Sequence, residues 1–383
     1  MAQAIISRKG GGGGGYATIT FDNVSGIAKT TAPYLRYPGM RLAATTVGDY
    51  ALFGGGENAN EKFSTVNAYN ANLTRSSPTS LSAARSTLAA TTVGDYALFG
   101  GGSTGSTSST VDAYNTSLTR STPTALSTPR SELAATTVGD YALFGGGTGS
   151  MSMVDAYNTS LTRSTPTTLS FGRYGLAATT VGDYALFGGG SGGSRTSTVD
   201  AYNTSLTRST PTALSVGRYY LAATTVGGYA LFGGGHGTTY YSTVDAYDTS
   251  LTHSTPTELS VATSSLAATT VNSYALFCGG DNDEADAYNI NLTKSVVPEL
   301  AVSRYSLAAT TVGGYALFGG GKVSNTYPAV VDAYYLNNQV LVYPGTKYKL
   351  GSMTDEATSD SMQMITTTAP ITGYIKIKDA TIN

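Results

Sequence analysis

The chain has 383 residues, a net charge of −2, 12% charged residues, 47 glycines, 28 tyrosines, two histidines, one cysteine and no tryptophan. The near-zero charge excludes a general electrostatic pull toward nucleic acid or an anionic membrane. Cys278 alone excludes a disulfide framework and a multi-cysteine metal site, and His236 and His253 are too few for most histidine metal centres.

The chain opens Met-Ala-Gln-Ala-Ile-Ile-Ser-Arg-Lys. Three apolar residues with the charges after them have the wrong length and order for a secretory signal, so Sec export is not expected. No apolar run reaches the ~18 residues of a membrane helix, so no membrane insertion is expected either. Six consecutive glycines at 10–15 read as a flexible tether. They leave residues 1–9 as a docking peptide for a partner. A phosphate loop would need a following Lys-Ser/Thr, which is missing. The opening residues resemble the starts of bacteriophage tail and virion proteins, which implies a place on a particle.

The string Leu-Ala-Ala-Thr-Thr-Val then occurs seven times, beginning at Leu42, Leu88, Leu133, Leu176, Leu221, Leu266 and Leu307. The spacings are 46, 45, 43, 45, 45 and 41 residues. Each copy runs through a two-residue turn such as Gly48-Asp49 into Tyr-Ala-Leu-Phe and glycines. After a variable gap comes a block such as Val111-Asp-Ala-Tyr-Asn115, then one such as Ser117-Leu-Thr-Arg-Ser-Thr-Pro-Thr124; in the seventh copy Asn338-Gln-Val-Leu-Val-Tyr343 stands in that last place. All four blocks are short, rich in β-branched or aromatic residues, and bounded by turn residues, which predicts four strands per unit. The Gly-X turns suit a tight antiparallel hairpin. Four strands at a period of about 45 residues predict a seven-bladed β-propeller, all-β, with four antiparallel strands per blade. Residues 18–33 weakly match the third and fourth blocks. The segment 16–31 is expected to give a strand to the last blade and so remove an open edge; a strand at 340–343 is the alternative.

The order of turn, aromatic strand, Gly-Gly and Val-Asp-Ala-Tyr resembles the kelch repeat. The double glycine of that family matches Gly55-Gly56 and its equivalents, and the arginine before its first strand matches Arg85, Arg130, Arg173, Arg218 and Arg304. Copies one and six depart, with Gly39 and Thr263 there, and the family's fourth-strand tryptophan is missing. The resemblance spans about residues 20–343 and implies a propeller of kelch type, a fold that hosts many functions. Residues 344–383 leave the repeat and are expected to form a small β-rich appendage that could join copies of the chain. The expected organisation is therefore residues 1–15 as peptide and tether, 16–343 as propeller and 344–383 as appendage.

Strand alternation places the loops from second to third strand (the long loops) and the connections between units at one end of the disc. The copies are nearly identical elsewhere and differ mainly there, which is the layout of a recognition surface on a rigid scaffold. The candidate ligand-binding residues are Arg173, Tyr174, Arg195, Arg218, Tyr219, Tyr220, His236, Tyr240, Tyr241, Arg304, Tyr305, Lys322 and Tyr327. Tyr and Arg offer planar contact area with polar ends. An opposing reading makes the arginines before the first strands structural, bonded to carbonyls near the axis. The Asp recurring once per unit (Asp112, Asp155, Asp200, Asp245, Asp286, Asp332) is expected to bond backbone. The acidic run at 281–286 lacks the glycine and final glutamate of an EF-hand loop, so no metal or cofactor is expected. The expected function is non-enzymatic binding of a protein or glycan by a virion or tail-associated protein, without nucleic acid. A cytoplasmic kelch-type adaptor is the alternative.

Overall fold

The computed structural model describes residues 5–7, 17–20, 24–342, 363–367 and 375–377, with side chains for 26–337. Seven sheets follow one another along the chain, and each pairs its strands in the order first, second, third, fourth. Blade 1 is Ala43–Val47, Tyr50–Gly54, Val66–Tyr69 and Arg75–Ser76. The same pattern recurs to blade 6, whose strands are Ala267–Val271, Tyr274–Cys278, Ala285–Asn289 and Lys294–Val296. Each first strand packs on the first strand of the next blade, and Ala308–Val312 of blade 7 packs on Ala43–Val47 of blade 1. The ring is closed: this is a seven-bladed β-propeller.

The strands follow from their residues. In the first strand Ala43, Thr45 and Val47 are buried while Ala44 and Thr46 are half-buried, the period of two expected of a strand. The hairpin turn needs a left-handed first residue, and glycine supplies it in six blades; blade 6 uses Asn272, at φ 50°. The core lies between blades. Ala43, Val47, Leu52, Val66 and Ala68 of blade 1 pack with Leu88, Ala97, Phe99 and Tyr114 of the next repeat. The last glycine of each second strand makes room for the neighbour's phenylalanine: a Cβ on Gly145 would lie 2.8 Å from the Phe187 ring. In blade 6 this position is Cys278, buried as expected for an inert thiol, and burial pushes its pKa up.

The chain start closes the last blade. Val24–Ala32 takes the fourth place in the blade 7 sheet, beside Val331–Val342. Lys29 does there what Arg120 does in blade 2: its ammonium lies 3.2 Å from Asp332, as Arg120 lies 3.0 Å from Asp112. Ala32 and Leu35 complete the core between blades 7 and 1. Of the alternative segment, 340–343, the described residues 340–342 pair instead within Gln363–Thr367, and 343 lies outside the described residues.

The chain divides into two compact units, Lys29–Tyr335 and a second made of Met1–Ala28 with Leu336–Asn383. In the second, Ile5–Ser7 pairs antiparallel with Ala17–Thr20, which pairs with Ile375–Ile377. The glycines at 10–15 and most of the expected appendage at 344–383 lie outside the described residues.

Candidate functional site

The long loops and connections meet at one end of the ring, as strand alternation requires. Isolated backbone bridges tie them together: Met40 to Glu57, Ser86 to Ser103, Tyr174 to Ser191, Tyr219 to His236 and Tyr305 to Lys322.

Three predicted ligand contacts are corrected here. Arg173, Arg218 and Arg304 are fully buried, as are Arg85 and Arg130. Each guanidinium reaches the recurring Asp of its own blade: Arg173–Asp200, Arg218–Asp245 and Arg304–Asp332 are each 2.7 Å apart, and Arg130–Asp155 2.6 Å. Each also donates to the carbonyl of the second-strand phenylalanine, as Arg173 does to Phe187 at 3.1 Å. A buried charge must be paired and hydrogen-bonded. The Nη2 of each arginine is, on both its Asp and its carbonyl, while the Nε of all five has no hydrogen-bond partner. Burial pulls the Arg173 and Arg218 pKa values down, against the pull of Asp200 and Asp245. The Asp carboxylates further accept from the connection, as Asp155 does from the Ser127 N–H at 2.9 Å. These charges hold the scaffold and leave the surface set.

Above them lies a collar that the candidate list touched only at Tyr220. The residue before each Leu-Ala-Ala-Thr-Thr-Val is Arg41, Thr87, Glu132, Gly175, Tyr220, Ser265 or Ser306. All seven have a left-handed backbone, with φ from 52° to 62°. Each donates its N–H to the carbonyl of its counterpart in the preceding blade, and Arg41 donates to Ser306, at 2.7 to 3.1 Å. The seven bonds form a closed circle. A non-glycine residue in this conformation costs about 1–3 kcal/mol and persists only where the surroundings impose it, as the circle does here. Inside the circle a cavity of about 320 Å³ has the seven leucines as floor and Arg41, Glu132, Tyr220 and Tyr305 among its walls. Tyr220 donates to Glu132 at 2.8 Å, and burial followed by this carboxylate raises the phenol's pKa.

The opposite mouth is chemically uniform. Two threonines from each first strand line a cavity of about 870 Å³. Their hydroxyls bond from blade to blade, as in Thr45–Thr92 at 2.8 Å and Thr46 to the Thr311 carbonyl at 2.6 Å.

Off the axis, blades 4 and 5 gather most of the remaining candidates. Tyr219 lies edge-on to Tyr174 with centroids 6.3 Å apart, 4.6 Å from Tyr220 and 5.4 Å from His236. Its hydroxyl is 3.2 Å from His236 Nδ1. His236 packs on Tyr240 at 5.2 Å, and the Asp281 carboxylate raises the Tyr240 pKa. Tyr174, Tyr219, Tyr241 and Arg195 line a cleft of about 650 Å³ with Ser191, Ser194 and Thr238. Tyr305, Lys322 and Tyr327 stand apart on blade 7, where Lys322 lies 5.5 Å from the centre of the Tyr327 ring. On blade 1, burial raises the Glu57 pKa, but bonds from Lys62, Ser86 and Arg41 outweigh it and hold the carboxyl below its ordinary value.

No described protein family and no curated protein matches this chain. Among solved structures it is similar to one titled "Structure of YjhT". That match has a TM-score of 0.50 and 11% sequence identity, and covers 80% of this chain and 97% of the other. At that identity the likeness concerns the fold alone.

Proposed function

We propose that this chain is a kelch-type propeller that acts without catalysis, as a recognition surface on a virion or tail-like particle. Its ligand, a glycan or a protein segment, meets the face of long loops and connections. One observation carries the reading. Seven near-identical units differ mainly on that face, while their backbone there is fixed by shared bridges and by the closed collar. Variable side chains on an invariant frame are the means by which binding surfaces are diversified. The charged groups repeated around the ring serve the scaffold, which leaves the tyrosines and loop polar groups for contact. The placement on a particle rests on the opening residues, and the kelch type on the Gly-Gly and Arg positions.

The test is binding by the purified chain to glycan and protein arrays, with Tyr174→Ala and Tyr219→Ala as face variants. Purified particles are also searched for the chain by electron microscopy and mass spectrometry. Binding that both variants weaken, together with the chain's presence on particles, is the expected result. Capture of ligands that ignores both variants would overturn the assignment of the face. Absence from particles would overturn the location.

A further inference from the structure

We propose that the cleft between blades 4 and 5 binds an acidic sugar unit, with its carboxylate on Arg195 and a sugar face on the tyrosines. This rests on the recognition reading above and narrows it to one site and one ligand class.

The cleft's volume lies within the usual range for small-ligand sites, about 300–1,000 Å³. Its tyrosines are held before any ligand arrives. Tyr219 is fixed by Tyr174, by Tyr220 and by His236, and Tyr220 is itself anchored on Glu132. Rings already in place spare the ligand the entropy of ordering them. Tyrosine faces suit the C–H face of a sugar ring, and the hydroxyls of Ser191, Ser194 and Thr238 suit its hydroxyl rim.

Charge decides the class. Arg195 is exposed, and among the described Lys and Arg residues its side chain alone has no carboxylate, hydrogen-bond acceptor or aromatic ring as partner. Arg41 and Lys62 share Glu57, Arg36 lies over Tyr37 and Lys322 lies over Tyr327. No carboxylate lines the cleft. The nearby acids are engaged elsewhere: Glu132 by Tyr220, Asp281 by Tyr240 and Glu258 by Ser242. A guanidinium fork left without an internal partner matches the two oxygens of one carboxylate. One cation is too few for a nucleic-acid backbone, whose affinity grows with the number of phosphates neutralised. Three tyrosines and a hydroxyl rim favour a sugar over an acidic peptide.

The test is calorimetric titration of the full chain with galacturonate oligomers, a sialylated oligosaccharide, neutral galactose oligomers and a glutamate peptide. The acidic sugars are expected to bind at least about tenfold more tightly than the neutral ones, the size of one charge-assisted contact. Arg195→Gln should remove that preference, Arg195→Lys should restore part of it, and added salt should weaken it. Because Arg195 is exposed and unpartnered, both variants should keep the native circular dichroism spectrum and melting temperature. Equal affinity for neutral and acidic sugars, full binding by Arg195→Gln, tighter binding of the glutamate peptide or no binding of either acidic sugar would each overturn the proposal. If acidic sugars fail while Tyr219→Ala still abolishes capture of another ligand on the arrays, the recognition surface stands and the acidic-sugar class falls. If both fail, the two readings fall together.

Discussion

Replacing Arg130 by Met tests the reading of the buried ion pairs as scaffold. Arg130 Nη2 lies 2.6 Å from Asp155 Oδ2, and neither side chain reaches solvent. The same nitrogen donates to the Phe144 carbonyl at 3.1 Å. Methionine fills much of the space but leaves the Asp155 carboxylate buried, with only Ser127 bonding it at 2.9 and 3.1 Å and Arg163 at 3.5 Å. Stranding one partner of a buried pair costs about 3–5 kcal/mol. Blade 1 indicates how that loss can be offset. There Gly39 stands in the arginine's place and Asn67 in the aspartate's, and Asn67 Oδ1 still accepts from the Arg36 N–H at 2.9 Å. Asp155→Asn should therefore keep the bond to Ser127 while removing the stranded charge. The double variant Arg130→Met with Asp155→Asn is expected to fall short of the summed single losses by about 2–3 kcal/mol. The measurement is urea unfolding followed by tyrosine emission, completed as a double-mutant cycle. A single-variant loss below about 1 kcal/mol, or strict additivity of the two singles, would refute the account.

Three further outcomes follow from the fold. Deleting residues 1–31 removes Lys29 and most of the closing strand, and should lower the melting temperature by roughly 5 °C or more; an unchanged value would mean that the ring closes without it. Cys278 is buried with a raised pKa, so Ellman's reagent should label it no faster than the chain unfolds; rapid labelling of the native protein would contradict its burial. Tyr69, Tyr114, Tyr157, Tyr202, Tyr247, Tyr288 and Tyr334 each donate to a carbonyl, and burial lifts their pKa above the ordinary value of 10.0. The unfolded phenols ionise first, so this contribution to stability is full below pH about 10 and lost as pH rises beyond it. Phenolate absorbance should appear in step with unfolding, and a smooth titration of all tyrosines in the folded state would refute it.

The fold was legible because repetition averages out local ambiguity. Seven copies of each block define the strands, and the sequence differences between copies locate the loop face. The roles of the arginines were harder to read. Arg130 and Asp155 lie in different blocks of the chain, and only the folded blade brings them together. A signal was nevertheless present: the one copy with Asn67 in place of Asp is also the copy with Gly39 in place of Arg. The second chargeless position, Thr263, leaves Asp286 with Lys294 at 3.4 Å and no arginine, so the correlation is incomplete. The collar escaped notice for a different reason. A left-handed backbone is usually read from glycine, and six of the seven collar residues are not glycine. Their conformation is imposed by hydrogen bonds between blades, which leave no mark on local sequence. Tyr174, Tyr219 and Tyr241 were legible as an aromatic cluster, whereas the absence of a partner for Arg195 depended on where every other charge had settled.

The collar has a consequence for how such a chain can change. Each of its seven residues is held by main-chain bonds to its neighbours, so the identity of one side chain says little about what the next must be. Thr, Glu, Tyr, Arg, Ser and Gly already occupy equivalent places in one molecule. Mutation at one spoke should leave the other six in register, and duplication of a blade delivers a spare spoke already in position. Apart from the Tyr220–Glu132 bond, the mouth of the ring behaves as a combination lock whose wheels turn independently, so new specificities can arise one residue at a time on a frame that need not be rebuilt.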